Sequence, residues 1–434
     1  MIGAAVERCA GIDVGKKVLA VCVMVGPLEG EPEVERRQFQ TIRADLDRLR
    51  AWLRLGGVTH VVMESTGSYW KPVFNVLEGT VQVYLANPQE VKNRRGHKTD
   101  DKDGWWLAHL LRHAMIHPSF IPPRPIRELR DLTRRRKRLL SNATSEKNRV
   151  QKILEDANVK LGNVLTDVFG VSGQLMLDQL REGKATAAEI AALAKARAKK
   201  KIPAIIAALE GHQMSAHHRR MIGYSLEHLR FLEEQLAELD RDIAEQIQQA
   251  GLSQRWEDLR SIPGIQQTSA AAILAETGQN MNQFPSEKHF SSWAGVCPGN
   301  NQSGGKKNKG GPTTGGNPWL RCALTECAWA AANKKDCFIK DRFWRIASKH
   351  GGKKGPAIVA VAHTLLILVY EVLRTGKPYQ ERAQPIMSEV QRQRLIRHHA
   401  RRLGKLGLAT SSCRPATRIP KLPRGSKAAK PEPA

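Results

Sequence analysis

The chain has 434 residues, 41% of them apolar, which suffices to bury more than one core and excludes a disordered tail protein. Lysine and arginine outnumber aspartate and glutamate 69 to 42, a net charge of +27, so a polyanionic partner is expected and nucleic acid comes first, although charge alone names no reaction. The cysteines Cys9, Cys22, Cys297, Cys322, Cys327, Cys337 and Cys413 form no CxxC pair, which points to buried thiols in a reducing cytoplasm; neither a signal peptide nor a membrane span is expected, the apolar run Ala357 to Leu373 being interrupted by His363.

From Cys9 to Val25 two apolar, β-branched runs flank Gly15-Lys16-Lys17, as in a hairpin, and a third strand is expected near Arg37 to Thr41. The period then changes to helical at Leu46, Leu49, Trp52 and Leu53. A buried strand from Val58 to Met63, a short helix from Trp70 to Leu77, a strand from Val81 to Ala86 and a helix from about Asp101 to Met115 follow. The order β-β-β-α-β-α-β predicts an α/β, ribonuclease-H-like (RuvC-like) domain over residues 1–125, closed by the proline-rich segment Phe120 to Pro125.

Residues 126–250 read as a basic helical and coiled-coil region. The run from Arg127 to Lys152 holds Arg134, Arg135, Arg136, Lys137 and Arg138 in succession, whose mutual repulsion calls for a counter-charge such as phosphate; the alternative is a solvated helix face. Leu229, Leu232, Leu236, Leu239, Ile243 and Ile247 keep an a/d-like spacing, flanked by Glu233, Glu234, Glu238 and Arg241, which fits either an antiparallel hairpin within one chain or a seam between two. Residues 251–380 form a mainly α C-terminal domain, and 381–434 a basic tail, expected to be disordered when free.

Asp13 ends the first strand in GIDVGK and Glu64 ends the fourth in VVMESTGSYW, so neighbouring strands would carry both carboxylates to one edge of the sheet. Asp100 and Asp103 lie three apart at a helix start and face the same way. Four converging acids repel one another without cations, and Mg2+, a hard ion seeking oxygen ligands, fits them, with Mn2+ able to substitute. Singly each acid could be a cap or surface residue. A carboxylate that follows an apolar run and precedes a Ser-Thr-Gly turn, as Glu64 does, is poor core design and good site design.

In the C-terminal region the turn Ile262-Pro263-Gly264-Ile265 fits either a helix-hairpin-helix, with backbone N–H groups directed at a DNA phosphate, or a plain helical hairpin. Next comes WAGVCPGNNQSGGKKNKGGPTTGGNPWLRCAL, in which glycines surround Lys306, Lys307 and Lys309; the spacing is not that of a P-loop. Ser303 stands among these glycines, where it could approach a phosphodiester as nucleophile or simply be a solvated loop serine.

Taken together, GIDVGK, MESTGSYW, HKTDDKD, IPGI, WAGVCPGNNQSGGK, TTGGNPWLR and KKGPAIVAVAHTLL resemble the DEDD transposases of bacterial insertion sequences, a family that includes Piv-like DNA invertases and bridge-RNA-guided recombinases. The resemblance runs from about Ala10 to Tyr379. It implies that Asp13, Glu64, Asp100 and Asp103 bind the metal and that Ser303 attacks DNA to form a covalent intermediate. It also implies a homodimer or homotetramer acting on donor and target DNA at the nucleoid, away from membranes, guided by a structured bridge RNA. Nucleic-acid contacts are expected at Arg134 to Arg138, Gly264, Lys306, Lys307, Lys309 and Arg321.

Two departures stand out. The alanine usual after the last aspartate is Gly104 here, followed by Trp105 and Trp106, which suggests a loosened helix start; and Gln302 replaces the first of two serines, leaving Ser303 as the choice in the loop. The competing readings are a junction-resolvase-type nuclease with water as nucleophile, and a non-catalytic nucleic-acid scaffold.

Overall fold

The computed structural model describes residues 4–65, 67–87, 100–297, 302–303, 306–307, 313, 315–335, 337–381, 393, 396–397 and 400–404. The chain divides into two compact units, Met1–Glu128 and Leu129–Ala434.

The first unit is built on a five-stranded sheet of β1 (Arg8–Val14), β2 (Val18–Val25), β3 (Glu33–Gln40), β4 (His60–Glu64) and β5 (Gln82–Ala86) in the order β3-β2-β1-β4-β5. β1–β2 and β2–β3 pair antiparallel, β1–β4 and β4–β5 parallel, which is the ribonuclease-H-like arrangement. The hairpin at Gly15 to Lys17 and the succession of elements along the chain are as the sequence reads. β3 begins earlier than expected, because an edge strand with sequence EVERRQFQ is exposed along most of its length and lacks the apolar alternation that marks a buried strand.

Helices α1 (Arg43–Leu55) and α2 (Trp70–Leu77) cover one face of the sheet, packing Leu46, Leu49, Leu53, Val73 and Leu77 against Ala10, Ile12, Val21, Val61 and Met63. Helix α3 (Asp100–Arg112) covers the other, with Leu107, Ala108 and Leu111 on Cys9, Cys22, Met24 and Val62.

The second unit has two buried clusters. One joins α4 (Arg124–Asp156), α6 (Val171–Glu182) and α9 (Ala216–Gln249) through Leu139, Val150, Leu154, Met176, Leu180, Ile222, Leu229 and Leu232; the short helices α5 (Leu161–Val164), α7 (Ala187–Ala192) and α8 (Ile202–Leu209) pack at its end. Arg136 meets Asp240, Glu146 meets His228 and Asp156 meets His218, at 2.6, 3.0 and 2.9 Å, so α9 descends as α4 ascends. The a/d seam is therefore used within the chain, Leu229 and Leu232 buried and Leu236 and Leu239 partly so, which decides for the antiparallel hairpin in this stretch.

The other cluster comprises α10 (Ser253–Arg260), α11 (Gln267–Thr277), α12 (Glu287–Trp293), α13 (Pro318–Asn333), α14 (Phe338–Lys349) and α15 (Lys354–Thr375). α15 is long and apolar enough to cross a membrane, but Val361, Leu365, Leu366 and Val369 are wholly buried against its neighbours, and that packing accounts for its composition.

Candidate functional site

The register of β1 and β4 pairs Ile12 with Met63, so one step further sets Asp13 level with Glu64 on adjacent strands, about 4.8 Å apart in a sheet. Side chains alternate along a strand. Cys9 and Val62 pack under α3, which puts Gly11, Asp13 and Glu64 on that same face. Both acids are half-exposed.

Helix α3 runs antiparallel to β1. The Cys9 thiol donates to the Ala108 carbonyl at 3.6 Å, and at the helix end Arg112 reaches the start of β1. Its first turn, with Asp100 and Asp103, therefore falls at the end of the sheet that carries Asp13 and Glu64. Asp103 is half-exposed, and the Asp100 side chain lies outside the described residues.

Gly11 and Gly104 determine how closely helix and sheet approach. A Cβ on Gly11 would stand 2.2 Å from the Gly104 carbonyl oxygen and 2.4 Å from the Ala108 nitrogen, and a Cβ on Gly104 would stand 2.9 Å from the Ala20 oxygen. Gly104 does not loosen the helix start as the sequence suggested; it is buried and lets the helix sit directly on β1 and β2.

Arg112, 2% exposed, holds the far end, its guanidinium donating to the carbonyls of Val6, Glu7, Gly26 and Pro27. Sequence reasoning missed Arg112, because a cation in the last turn of a helix ordinarily reads as a surface residue favoured by the helix dipole.

The donors gathered at this edge are carboxylate oxygens, which suits a hard divalent cation better than zinc or copper. Among the described residues no three His, Cys, Asp or Glu side chains stand close enough to hold an ion. The fold thus aligns Asp13 with Glu64 and brings the start of α3 to them, without closing a ligand shell.

In the second unit, β6 (Gln302–Ser303) pairs antiparallel with β7 (Lys306–Lys307), Ser303 opposite Lys306. The side chains of Ser303, Lys306 and Lys307, and all of Lys309, lie outside the described residues. The roots of this glycine-rich segment are described: a Cβ on Gly316 would be 2.4 Å from the Gly295 nitrogen, so the two ends of the segment touch.

Asn317, next in sequence, does two things. Its Oδ1 accepts from the Trp319 and Leu320 amides at 3.0 and 3.1 Å, capping α13, and its Nδ2 donates to Glu276 at 2.7 Å. Glu276 is 2% exposed and accepts from Nε and one Nη of Arg134, at 2.8 and 2.9 Å, with Arg130 at 3.4 Å.

This network corrects the argument for phosphate as the required counter-charge of the cationic run. Arg134 meets Glu276, Arg136 meets Asp240, Lys137 meets Glu326, and Arg138 lies 5.7 Å from the centre of the Trp319 ring. The protein itself neutralises much of the run. Arg135 and Arg138 are exposed, and Arg321 on α13 is half-buried.

The Ile262 to Ile265 turn joins α10 to α11. Gly264 has φ +89°, and a Cβ there would be 2.4 Å from the Cys327 carbonyl oxygen and 2.8 Å from the Ala331 nitrogen, so close packing on α13 by itself requires glycine.

The mixed sheet, with its leading hairpin and acids on the face beneath α3, defines the first unit as a ribonuclease-H-like domain. The sequence pattern of the DEDD transposase family of IS110-type elements matches residues 10–159, and that of the IS116/IS110/IS902 transposase family matches residues 257–342. The chain belongs to the IS110 family of transposases and is a DNA transposase.

A probable family 20 transposase of Pseudomonas aeruginosa is 27% identical over 337 residues, covering 75% of this chain and 86% of the relative. The pilin gene-inverting protein of Moraxella bovis is 29% identical over 162 residues, 37% of this chain and 49% of that protein. Among solved structures, RuvC of Thermus thermophilus matches with 16% identity and a TM-score of 0.21, covering 26% of this chain and 99% of that one.

Proposed function

We propose that this transposase cuts and rejoins DNA with Ser303 as nucleophile and with Asp13, Glu64, Asp100 and Asp103 as ligands of a divalent cation. The observation that carries the reading is the strand register that levels Asp13 with Glu64 under the first turn of α3. A Mg2+ ion held there, or Mn2+ in its place, would offset the charge that develops on the scissile phosphate.

The Ser303 Oγ attacks phosphorus, loses its proton to solvent or a nearby base, and forms a P–O bond as the bond to the leaving deoxyribose oxygen breaks. A serine phosphodiester results, and the leaving strand ends in a hydroxyl. Attack on that intermediate by a hydroxyl of another strand reverses the step and frees the serine, so strands are exchanged without net hydrolysis. Lys306, opposite Ser303 in register, supports phosphate binding beside the serine.

The net charge of +27 supports nucleic-acid partners, here donor and target DNA together with a structured guide RNA that supplies sequence by base pairing. Arg135 and Arg138, the exposed cations of the basic run, together with Arg321, Lys307, Lys309 and the turn at Gly264, are the further contacts assigned to nucleic acid, and the active form is a homodimer or homotetramer.

The test is incubation of the protein with Mg2+, the element's RNA and labelled target DNA, followed by denaturing electrophoresis of wild type, Ser303→Ala and Asp13→Asn. A protein-linked DNA band from wild type alone supports the reading. Cutting that survives Ser303→Ala but not Asp13→Asn makes the enzyme a water-using nuclease.

A further inference from the structure

The face of the sheet that carries Asp13 is only partly covered. α3 lies over β1 and β2, and beyond it the edge strand β3 is left open. Register carries the acid row onto that open strand: Asp13 is opposite Ala20 on β2, and Ala20 is opposite Gln38 on β3. Directly paired residues project to the same side of a sheet, so Gln38, Ala20, Asp13 and Glu64 form one line across it, with Gln38 about 10 Å from Asp13. Arg36, opposite Cys22, shares this face two residues further along β3.

A cleft of about 230 Å³ lies here, lined among others by Ala20, Cys22, Arg36, Arg37, Gln38 and Gly104. Its wall is low because Gly104 and Ala20 meet backbone to backbone. Arg36 and Gln38 are exposed, and Arg36 makes no ion pair among the described residues. Its neighbour Arg37 differs: it projects to the opposite face, pairs with Glu35 at 2.7 Å and lies 4.8 Å from the Trp52 ring centre.

We infer that this cleft between α3 and β3 seats the DNA strand that runs to the acids, with Arg36 binding a backbone phosphate next to the scissile one and Gln38 hydrogen-bonding its sugar or base. The inference rests on the reading that the four acids form the cutting centre. Three features carry it: the cleft opens in line with Asp13, its walls are small residues, and of the two arginines that line it Arg37 is paired with Glu35 while Arg36 meets only the neutral Cys22 thiol and no carboxylate among the described residues. A sugar-phosphate strand needs such a trough with a guanidinium at its side. Because the strand reaching the acids is the one to be cut, and the enzyme is a transposase, that strand is DNA.

The test is photocrosslinking of the full chain to labelled oligodeoxythymidine with Ca2+ present, placing benzoylphenylalanine at Gln38 or, for comparison, at Glu35 on the opposite face. Crosslinking from position 38, at least fivefold above that from 35, is expected. It should fall severalfold in an Arg36→Ala background, be restored by Arg36→Lys and remain unchanged with Arg37→Ala, while the unfolding temperature holds. Equal crosslinking from 35 and 38, or no response to Arg36→Ala, overturns the inference, as does stronger crosslinking to oligouridine, which would make RNA the occupant. Asp13→Asn is the separate arm: if it leaves Mn2+ binding and cleavage intact, the reading of the acids fails, whatever the crosslinks show.

Discussion

Replacing Gly11 with alanine should be the most damaging one-carbon change in the first unit. The new Cβ would lie 2.2 Å from the Gly104 oxygen and 2.4 Å from the Ala108 nitrogen. Both are backbone atoms and cannot swing aside, so restoring an ordinary contact near 3.4 Å requires helix and strand to part by about 1.2 Å. Overpacking of this kind costs about 3 kcal/mol, and at about 4 °C per kcal/mol for a unit of this size the unfolding midpoint should fall by roughly 12 °C. A displacement of about 1 Å at the start of α3 also lowers cleavage on the order of a hundredfold.

Gly104→Ala is the internal comparison. Its Cβ meets the Ala20 oxygen at 2.9 Å, a smaller overlap, and alanine gains about 1 kcal/mol of helix preference, so the two effects nearly cancel. The assay is thermal unfolding of the intact protein by circular dichroism, with DNA cleavage measured in parallel. If Gly11→Ala melts within a degree or two of wild type, the close approach of α3 is not what holds the helix and its acids in place.

Arg112→Met should destabilise the first unit by about 3 kcal/mol in chemical denaturation, because it strips the carbonyls of Val6, Glu7, Gly26 and Pro27 of their buried donor. Arg134→Ala should cost about 2 kcal/mol, less than a fully orphaned buried charge because Arg130 and Asn317 still serve Glu276, whereas Arg135→Ala should leave stability unchanged and weaken DNA binding in a filter assay. Burial holds the His109 imidazole below its ordinary value of 6.5, with the neighbouring His113 and Arg112 adding to the effect. The unfolded chain then binds more protons than the folded one as pH falls below 6.5, so stability present above that value is lost on acidification, and His109→Gln should flatten the pH profile of unfolding in that range. The Cys9 and Cys327 thiols, both pushed up to about 11 by burial, should resist iodoacetamide at pH 8 until the protein unfolds, as peptide mass spectrometry would register.

The parts of the site legible in the sequence are those written in local periodicity. Continuous apolar, β-branched runs gave away β1, β2, β4 and β5, and an acid directly after an apolar run marked Asp13 and Glu64 as strand-end carboxylates. What stayed hidden depends on residues distant in sequence. Nothing near Arg112 shows that four carbonyls from the ends of β1 and β2 converge on it, and nothing near Gly104 shows that Gly11 lies beneath it. The cationic run read as a demand for phosphate because Glu276, Asp240 and Glu326, which answer it, lie more than 100 residues away. Arg36 and Arg37 are alike in sequence; only the pairing of β3 with β2 separates them onto two faces.

The contact between Gly295 and Gly316 brings together the two ends of the glycine-rich sequence between them. Its ends enter and leave at one point, so its length and composition can change without displacing α12 or α13, since closing a longer loop costs only about 0.6 kcal/mol for each doubling. Segments of different length exchanged between related transposases at these two glycines should therefore be accepted by the same helical frame.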